Sequence, residues 1–195
     1  MGVTAIILAG GKSSRFGRDK SLLVLDSKLL VRHLADCCAT FADEILIISN
    51  QDQKFGFPGI RELSDRYTNM GPLGGIHAGL CEASHEHIFV TACDMPFFQV
   101  SLAETLLARL HIYDAAMPCH HALCEPLFSA MRRTEALAAA EMLLQQGDRK
   151  VLLLFDRINT FCWNCTEEDI HIFYNINYPD DYDRLTAGIQ HQKTG

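Results

Sequence analysis

Several things are missing from this 195-residue chain, and each absence removes a class of function. No apolar run approaches the roughly 18 residues needed to cross a bilayer as a helix. No basic segment precedes the apolar stretch at Met1–Gly11, so that stretch reads as a buried strand and not as a secretory signal, and a cytoplasmic location is expected. Positive charge is scarce: 17 Lys and Arg stand against 24 Asp and Glu, a net charge of -7. A general nucleic-acid binder needs a basic surface for phosphate contacts, so that class is set aside. Internal repeats, low-complexity tracts and linkers are also absent. The chain reads as one domain over residues 1–188 followed by a polar tail, 189–195.

What is present is an alternation of apolar strands and helices. Val3–Ala9 is a continuous β-branched run, as in a strand buried on both faces. Glu44–Ile48, Ile60–Leu63, His87–Ala92, Asp114–Met117, Pro126–Ala130 and Ile170–Tyr174 read as further strands. Leu29–Phe41 carries apolar residues at helical spacing, and Gly71-Pro72 opens a helix to Ala83, with proline favoured at the first helical position. Ser101 and Glu104 form the pattern of a capping box that would start a helix to Leu110. Thr134 would cap a helix over Glu135–Gln146 that Gly147 stops, with a short helix over Lys150–Phe155 next. Pro179 would start the last helix, with Asp180 and Asp181 in its favourable first turn. The fold class that follows is α/β: a three-layer Rossmann-like arrangement of a mostly parallel sheet with helices on both faces.

In such sheets ligands bind outside the carboxyl ends of the strands. That rule selects Gly10–Lys20, Asp94 and Asn175–Asn177 together. In the first, Gly10 and Gly11 let the backbone turn and bring its amides to an anion. Lys12, Arg15, Arg18 and Lys20 add four positive charges within nine residues of an acidic protein. Arginine grips phosphate with two parallel hydrogen bonds, and lysine acts as a mobile point charge. The loop is not a Walker loop, because no glycine directly precedes Lys20, and it does not fit Gly-x-Gly-x-x-Gly. Asp94 ends an apolar strand and suits a magnesium ion, though an aspartate capping a turn before Pro96 is the plainer alternative.

The eight cysteines admit two readings. Cys119, Cys124, Cys162 and Cys165, with His120 and His121 between the first two, could supply a tetrahedral zinc site. Reduced and mostly buried thiols are the preferred reading, since free cysteine behaves as a small hydrophobe.

Leu8 to Lys20, read as Leu-Ala-Gly-Gly-x-Ser-x-Arg-Phe-Gly-x-Asp-Lys, resembles the opening motif of the molybdenum cofactor guanylyltransferases. Gly71-Pro72-Leu73-x-Gly75-Ile76, Asp94-x-Pro96, Glu125-Pro126-Leu127 and Asn175-x-Asn177-x-Pro179 resemble that family's later motifs, in order. The resemblance runs from about residue 3 to 185. It implies a magnesium-dependent nucleotidyltransferase of the nucleotide-diphospho-sugar transferase type, which joins the GMP of GTP to molybdopterin and releases pyrophosphate. It implies that Leu8, Ala9, Gly10 and Gly11 lie against the nucleotide, with Arg15 and Lys20 on its phosphates as catalytic groups. Asp65 would read the guanine edge, with Ser64 and Glu62 as competitors for that role. Asp94 would hold the metal and contact the nucleotide, and Asn175 and Asn177 would line the pterin side. GTP, the molybdenum cofactor and a molybdoenzyme or its chaperone are the implied partners; nucleic acid and membrane are not. Tyr178, where the family often has threonine, Phe16 in place of methionine, and the stretch Pro118–Leu123 depart from the pattern. Two other readings stay open: a cytidylyl-, sugar or isoprenoid nucleotidyltransferase of the same fold, and a non-catalytic nucleotide-binding protein that delivers the cofactor.

Overall fold

The computed structural model describes residues 2–10, 19–25, 27–51, 53–64, 70–121 and 123–185. In chain order its strands and helices are β1 (Val3–Leu8), β2 (Val24–Leu25), β3 (Lys28–Leu29), α1 (Leu30–Cys38), β4 (Glu44–Ser49) and β5 (Arg61–Ser64). There follow α2 (Pro72–Glu82), β6 (His87–Ala92), α3 (Val100–Leu107), β7 (Ala115–His120), β8 (Leu123–Cys124) and β9 (Phe128–Arg132). The chain ends with α4 (Arg133–Gln145), α5 (Leu152–Arg157), β10 (Thr160–Asn164) and a helix, α6, over 179–185. Among the described residues no helix is long and apolar enough to cross a membrane.

One sheet organises the chain, in the order β10-β7-β9-β6-β1-β4-β5, with β8 paired to β7. β1 pairs in parallel with β4 and β6, β4 with β5, and β7 with β10. β9 runs antiparallel to both neighbours, β6 and β7. The expected mostly parallel sheet is thus present, with one reversed strand in its middle.

Side-chain alternation along β1 divides the core between two faces. Ile6 and Leu8 join α2, α4 and α5 on one side, while Ala5, Ile7 and Ala9 meet α1 on the other. On that second side Phe89 and Phe128 pack edge-to-face, their centroids 5.1 Å apart, under Leu102, Ala103 and Leu106 of α3. Each fully buried aliphatic side chain contributes about 1.5–3 kcal/mol by leaving water, so these three layers supply the main stabilisation. The helix α2 lies unusually close to β1. A Cβ built on Gly79 would stand 2.7 Å from Ile6 Cδ1 and 2.8 Å from its Cγ2, so the absence of a side chain is what allows the approach.

Four local expectations are corrected. Ile170–Tyr174 is no strand; Glu167–Phe173 forms 3-10 turns, because the Asp169 carboxylate accepts from both the amide and the hydroxyl of Thr166 and closes a capping box. The sheet's last strand lies earlier, at β10. Ser101 is no N-cap either: α3 starts at Val100 after Gln99, and no side chain caps it. The packing of Leu102, Ala103 and Leu106 sets that helix, and a cap worth about 1 kcal/mol does not override it. Thr134 lies inside α4, where Glu86 accepts from its amide and its hydroxyl. Gly147 does end α4, its amide donating to Leu144 O. Finally, Cys119 and Cys124 are not reduced thiols. They face each other across β7 and β8 and are joined as a disulfide, whereas Cys38 and Cys93 are free and buried.

Candidate functional site

The carboxyl ends of β1 and β6 carry the site's centre. The pairing continues one residue past the ends of β1 and β6, with Ala9 N donating to Ile48 O and Cys93 N to Leu8 O. Asp94 is therefore delivered directly beside the chain leaving β1. On the far side Ile176 N donates to Asp94 O at 3.0 Å, which docks the segment before α6 onto the same edge. Two sequence-distant loops are in this way fixed to one aspartate by backbone.

Lys20 occupies the middle. Its Nζ donates to Asp94 Oδ2 at 3.2 Å and to Asn177 Oδ1 at 3.0 Å, bridging residues 74 and 157 positions away. Two hard oxygens therefore converge on one cation in a partly shielded crevice, the Lys20 and Asp94 side chains being 18% and 20% exposed. That donor set suits magnesium, which takes one or two carboxylates and keeps several waters.

The position of Lys20 is set from behind. Asp19 caps the 3-10 turn Lys20–Leu22, accepting from Ser21 N at 3.1 Å and Ser21 Oγ at 2.6 Å. Lys54, from the loop after β4, donates to Asp19 Oδ2 at 2.5 Å and to Ser21 Oγ at 2.6 Å. Burial alone would raise the Asp19 carboxyl, but its hydrogen bonds from Lys54 and Ser21 hold it below the usual carboxylate range. Lys54 carries no motif in the sequence, and a single lysine in a polar loop gives no signal of this role. Beneath the turn, burial pushes the Cys93 thiol up to about 12, with the neighbouring charge of Asp94 adding to it, so it is an inert packing group.

Gly10 is exposed just after β1. A Cβ there would meet Asn50 Oδ1 at 2.8 Å, so glycine lets the loop leave β1 tight against the end of β4. Leu8 and Ala9 are buried beneath it. Gly11, Arg15 and Asp65, all assigned to nucleotide contacts from the sequence, lie outside the described residues, as does the 189–195 tail. Of the two competitors for Asp65, Glu62 is committed elsewhere: its carboxylate accepts from Phe55 N at 2.9 Å and Phe57 N at 3.3 Å.

A second half of the crevice is built by the reversed strand. Glu125 precedes β9, so it arrives at the same end of the sheet as Asp94. Its Oε1 accepts from Leu127 N at 3.1 Å, and its side chain also bonds Asn175. Burial first, and then the charge of Asp94, pushes its carboxyl above the usual range, against the pull of those two hydrogen bonds. Asn175 donates to Phe173 O at 3.3 Å, and Asp181 accepts from the amides of Asn177 and Tyr178, tying the Asn-x-Asn segment to α6. Phe97 and Tyr174 lie 6.2 Å apart beside it. Glu125 belongs to the motif Glu125-Pro126-Leu127, but nothing in the sequence gave it a chemical role.

Similarity to known proteins agrees with this geometry. The chain is 31% identical over 200 residues to a protein of Pelotomaculum thermopropionicum named "Probable molybdenum cofactor guanylyltransferase", covering 98% of this chain and 96% of that one. It is 34% identical over 184 residues to the "Molybdenum cofactor guanylyltransferase" of Yersinia pseudotuberculosis, covering 93% of each. Its fold matches molybdopterin-guanine dinucleotide biosynthesis protein A of Archaeoglobus fulgidus with a TM-score of 0.80 at 24% identity, over 96% of this chain and 99% of that one. It also matches the 4-diphosphocytidyl-2C-methyl-D-erythritol synthase of Anaerococcus prevotii with a TM-score of 0.74 at 15% identity, over 97% and 98%. With residues 5–158 matching the family's own pattern, the chain belongs to the MobA-like NTP transferases.

Proposed function

We propose that this protein transfers the GMP moiety of GTP to the terminal phosphate of molybdopterin, forming the guanine dinucleotide form of the cofactor and releasing pyrophosphate in the cytoplasm. The observation that carries the reading is the meeting of Lys20, Asp94 and Asn177, one from each of three motifs, at the carboxyl ends of the parallel strands. Near full-length similarity to proteins named as molybdenum cofactor guanylyltransferases supports the choice of nucleotide and acceptor.

The reaction is a displacement at the α-phosphorus by a phosphate oxygen that is already ionised, so no dedicated base is needed. Its barrier falls through positioning and through neutralisation of charge on the transferred group. Lys20 supplies a point charge at the crevice centre, held in place by the Asp19–Lys54 contact behind it. Gly10 and Gly11 bring backbone amides to the phosphates and Arg15 adds a two-pronged grip, while Asp65 reads the guanine edge. Asp94 and Asn177 present the oxygens that would hold magnesium; bound there, the ion neutralises the triphosphate and orients it for attack. Asn175, with Glu125 behind it, lines the acceptor side. The finished cofactor is passed to a molybdoenzyme or its chaperone.

The test is incubation with GTP, magnesium and molybdopterin, with mass detection of the product. Molybdopterin guanine dinucleotide is expected with GTP and not with CTP or ATP. A cytosine dinucleotide formed in preference, or nucleotide bound with no product, overturns the reading in favour of a cytidylyltransferase or a delivery protein.

A further inference from the structure

The β7–β8 hairpin lies beyond the crevice and holds a group of sulfurs that the transfer reaction does not use. Cys119 and Cys124 occupy facing positions on β7 and β8. Cys162 of β10 is in register with Met117, two residues before Cys119, so Cys162 and Cys119 project from the same face of the sheet. The three Sγ atoms, from three different strands, all lie within 4.8 Å of one another. A tetrahedral zinc ion with Zn–S bonds of about 2.3 Å keeps its sulfurs about 3.8 Å apart, a spacing these strands can hold once the Cys119–Cys124 bond is open. Cys119 is buried, Cys124 half-buried and Cys162 exposed, so the group runs from the core to solvent and has an entry path. Cys165, the other half of the Cys-x-x-Cys, is not part of it: its thiol turns to Trp163 O at 3.8 Å.

We propose that in the reduced protein Cys119, Cys124 and Cys162 form a binding site for one thiophilic metal ion of the zinc class. Opening the disulfide takes two electrons and two protons: a dithiol supplies both, while a phosphine supplies the electrons and becomes its oxide as water gives the oxygen and the protons. The ion then displaces one proton from each of the three thiols, and water completes its coordination. Disulfide and metal are alternative states of the same sulfurs. Softness of the ligands selects zinc, copper(I) or cadmium over the magnesium of the catalytic crevice. A second group at the same hairpin, His120, His121 and Glu167, also has ligand atoms within 4.8 Å of one another. It is the poorer site, since the His120 ring is already engaged by Cys165 O at 3.2 Å and by Glu167 at 3.4 Å.

Cobalt titration of the full chain, reduced with a phosphine under anaerobic conditions, tests this. About one equivalent should bind with thiolate-to-cobalt charge-transfer absorption, and zinc should displace it. Cys162→Ser, an exposed position where folding is preserved, should abolish the band, while Cys165→Ser and His121→Ala should retain it. Absence of a stoichiometric thiolate band in the reduced wild type overturns the proposal. So does a band that survives Cys162→Ser, or one that His121→Ala removes. Recovery of a mixed Cys162 disulfide in place of any metal complex also overturns it, and makes the trio a thiol-exchange site.

Discussion

Lys20 and Asp94 form a partly exposed ion pair facing the crevice, so their removal should affect turnover far more than folding. Lys20→Ala and Asp94→Ala are each expected to lower kcat/KM by about 100-fold or more, the loss typical when a group stabilising transition-state charge is removed. Circular dichroism should be unchanged; near wild-type turnover in either variant would remove the role assigned to that residue. Glu125 makes the opposite case. Its carboxyl titrates above the usual range, mainly through burial, so the folded protein holds that proton more tightly than the unfolded chain. The cost of ionising it is absent below the unfolded value of 4.5 and fully present once pH exceeds the raised folded value. Glu125→Gln should therefore stabilise the metal-free protein at pH 7 by about 0.5–1 kcal/mol and have no such effect at pH 4, in urea melts at the two pH values. A gain that is equal at both would show that charge is not the cause. At this scale motifs picked out Lys20, Asp94 and Asn177, which the fold brings together, although 3-10 turns and not the expected strand precede Asn177. The sequence could not reveal Lys54 or the load on Glu125, because those depend on contacts across the fold.

Among the elements, α2 owes its position to missing side chains. Ala is the better helix former by about 1 kcal/mol, yet a methyl group at residue 79 would lie within 3.0 Å of three Ile6 side-chain atoms. Overpacking of this kind costs about 1–3 kcal/mol, so Gly79→Ala should be net destabilising by up to about 2 kcal/mol. Chemical denaturation would check the sign, and a stabilised Gly79→Ala would mean that β1 and α2 separate without cost. Sequence pattern located both elements within a residue, β1 from its continuous β-branched run and α2 from the proline at its first helical position. It failed at Ile170–Tyr174, where a single contact set between Thr166 and Asp169 outweighs the apolar pattern. The reversal of β9 was also illegible, since an apolar run reads the same in either direction.

For the whole molecule, the folded state should be the only one with a formed nucleotide site, so a selective nucleotide raises the melting temperature by mass action. With magnesium, GTP at about 100 times its Kd should add about 2.7 kcal/mol of stability, and CTP at equal concentration much less. A larger shift with CTP would reverse the nucleotide assignment. The alternation of strands and helices made the three layers legible, because each layer buries a patterned face. The pairing of Cys119 with Cys124 was not, since it depends on a hairpin in a stretch that departs from the family's pattern. The reversed β9 also bears on how such a molecule can diversify. β1 and β6 bring their outgoing loops to the crevice, whereas β9 brings its incoming one, reached through the β7–β8 hairpin. Length or sequence can therefore change in that hairpin without altering the turn that presents Lys20, so the surroundings of Glu125 can vary while those of Asp94 stay fixed.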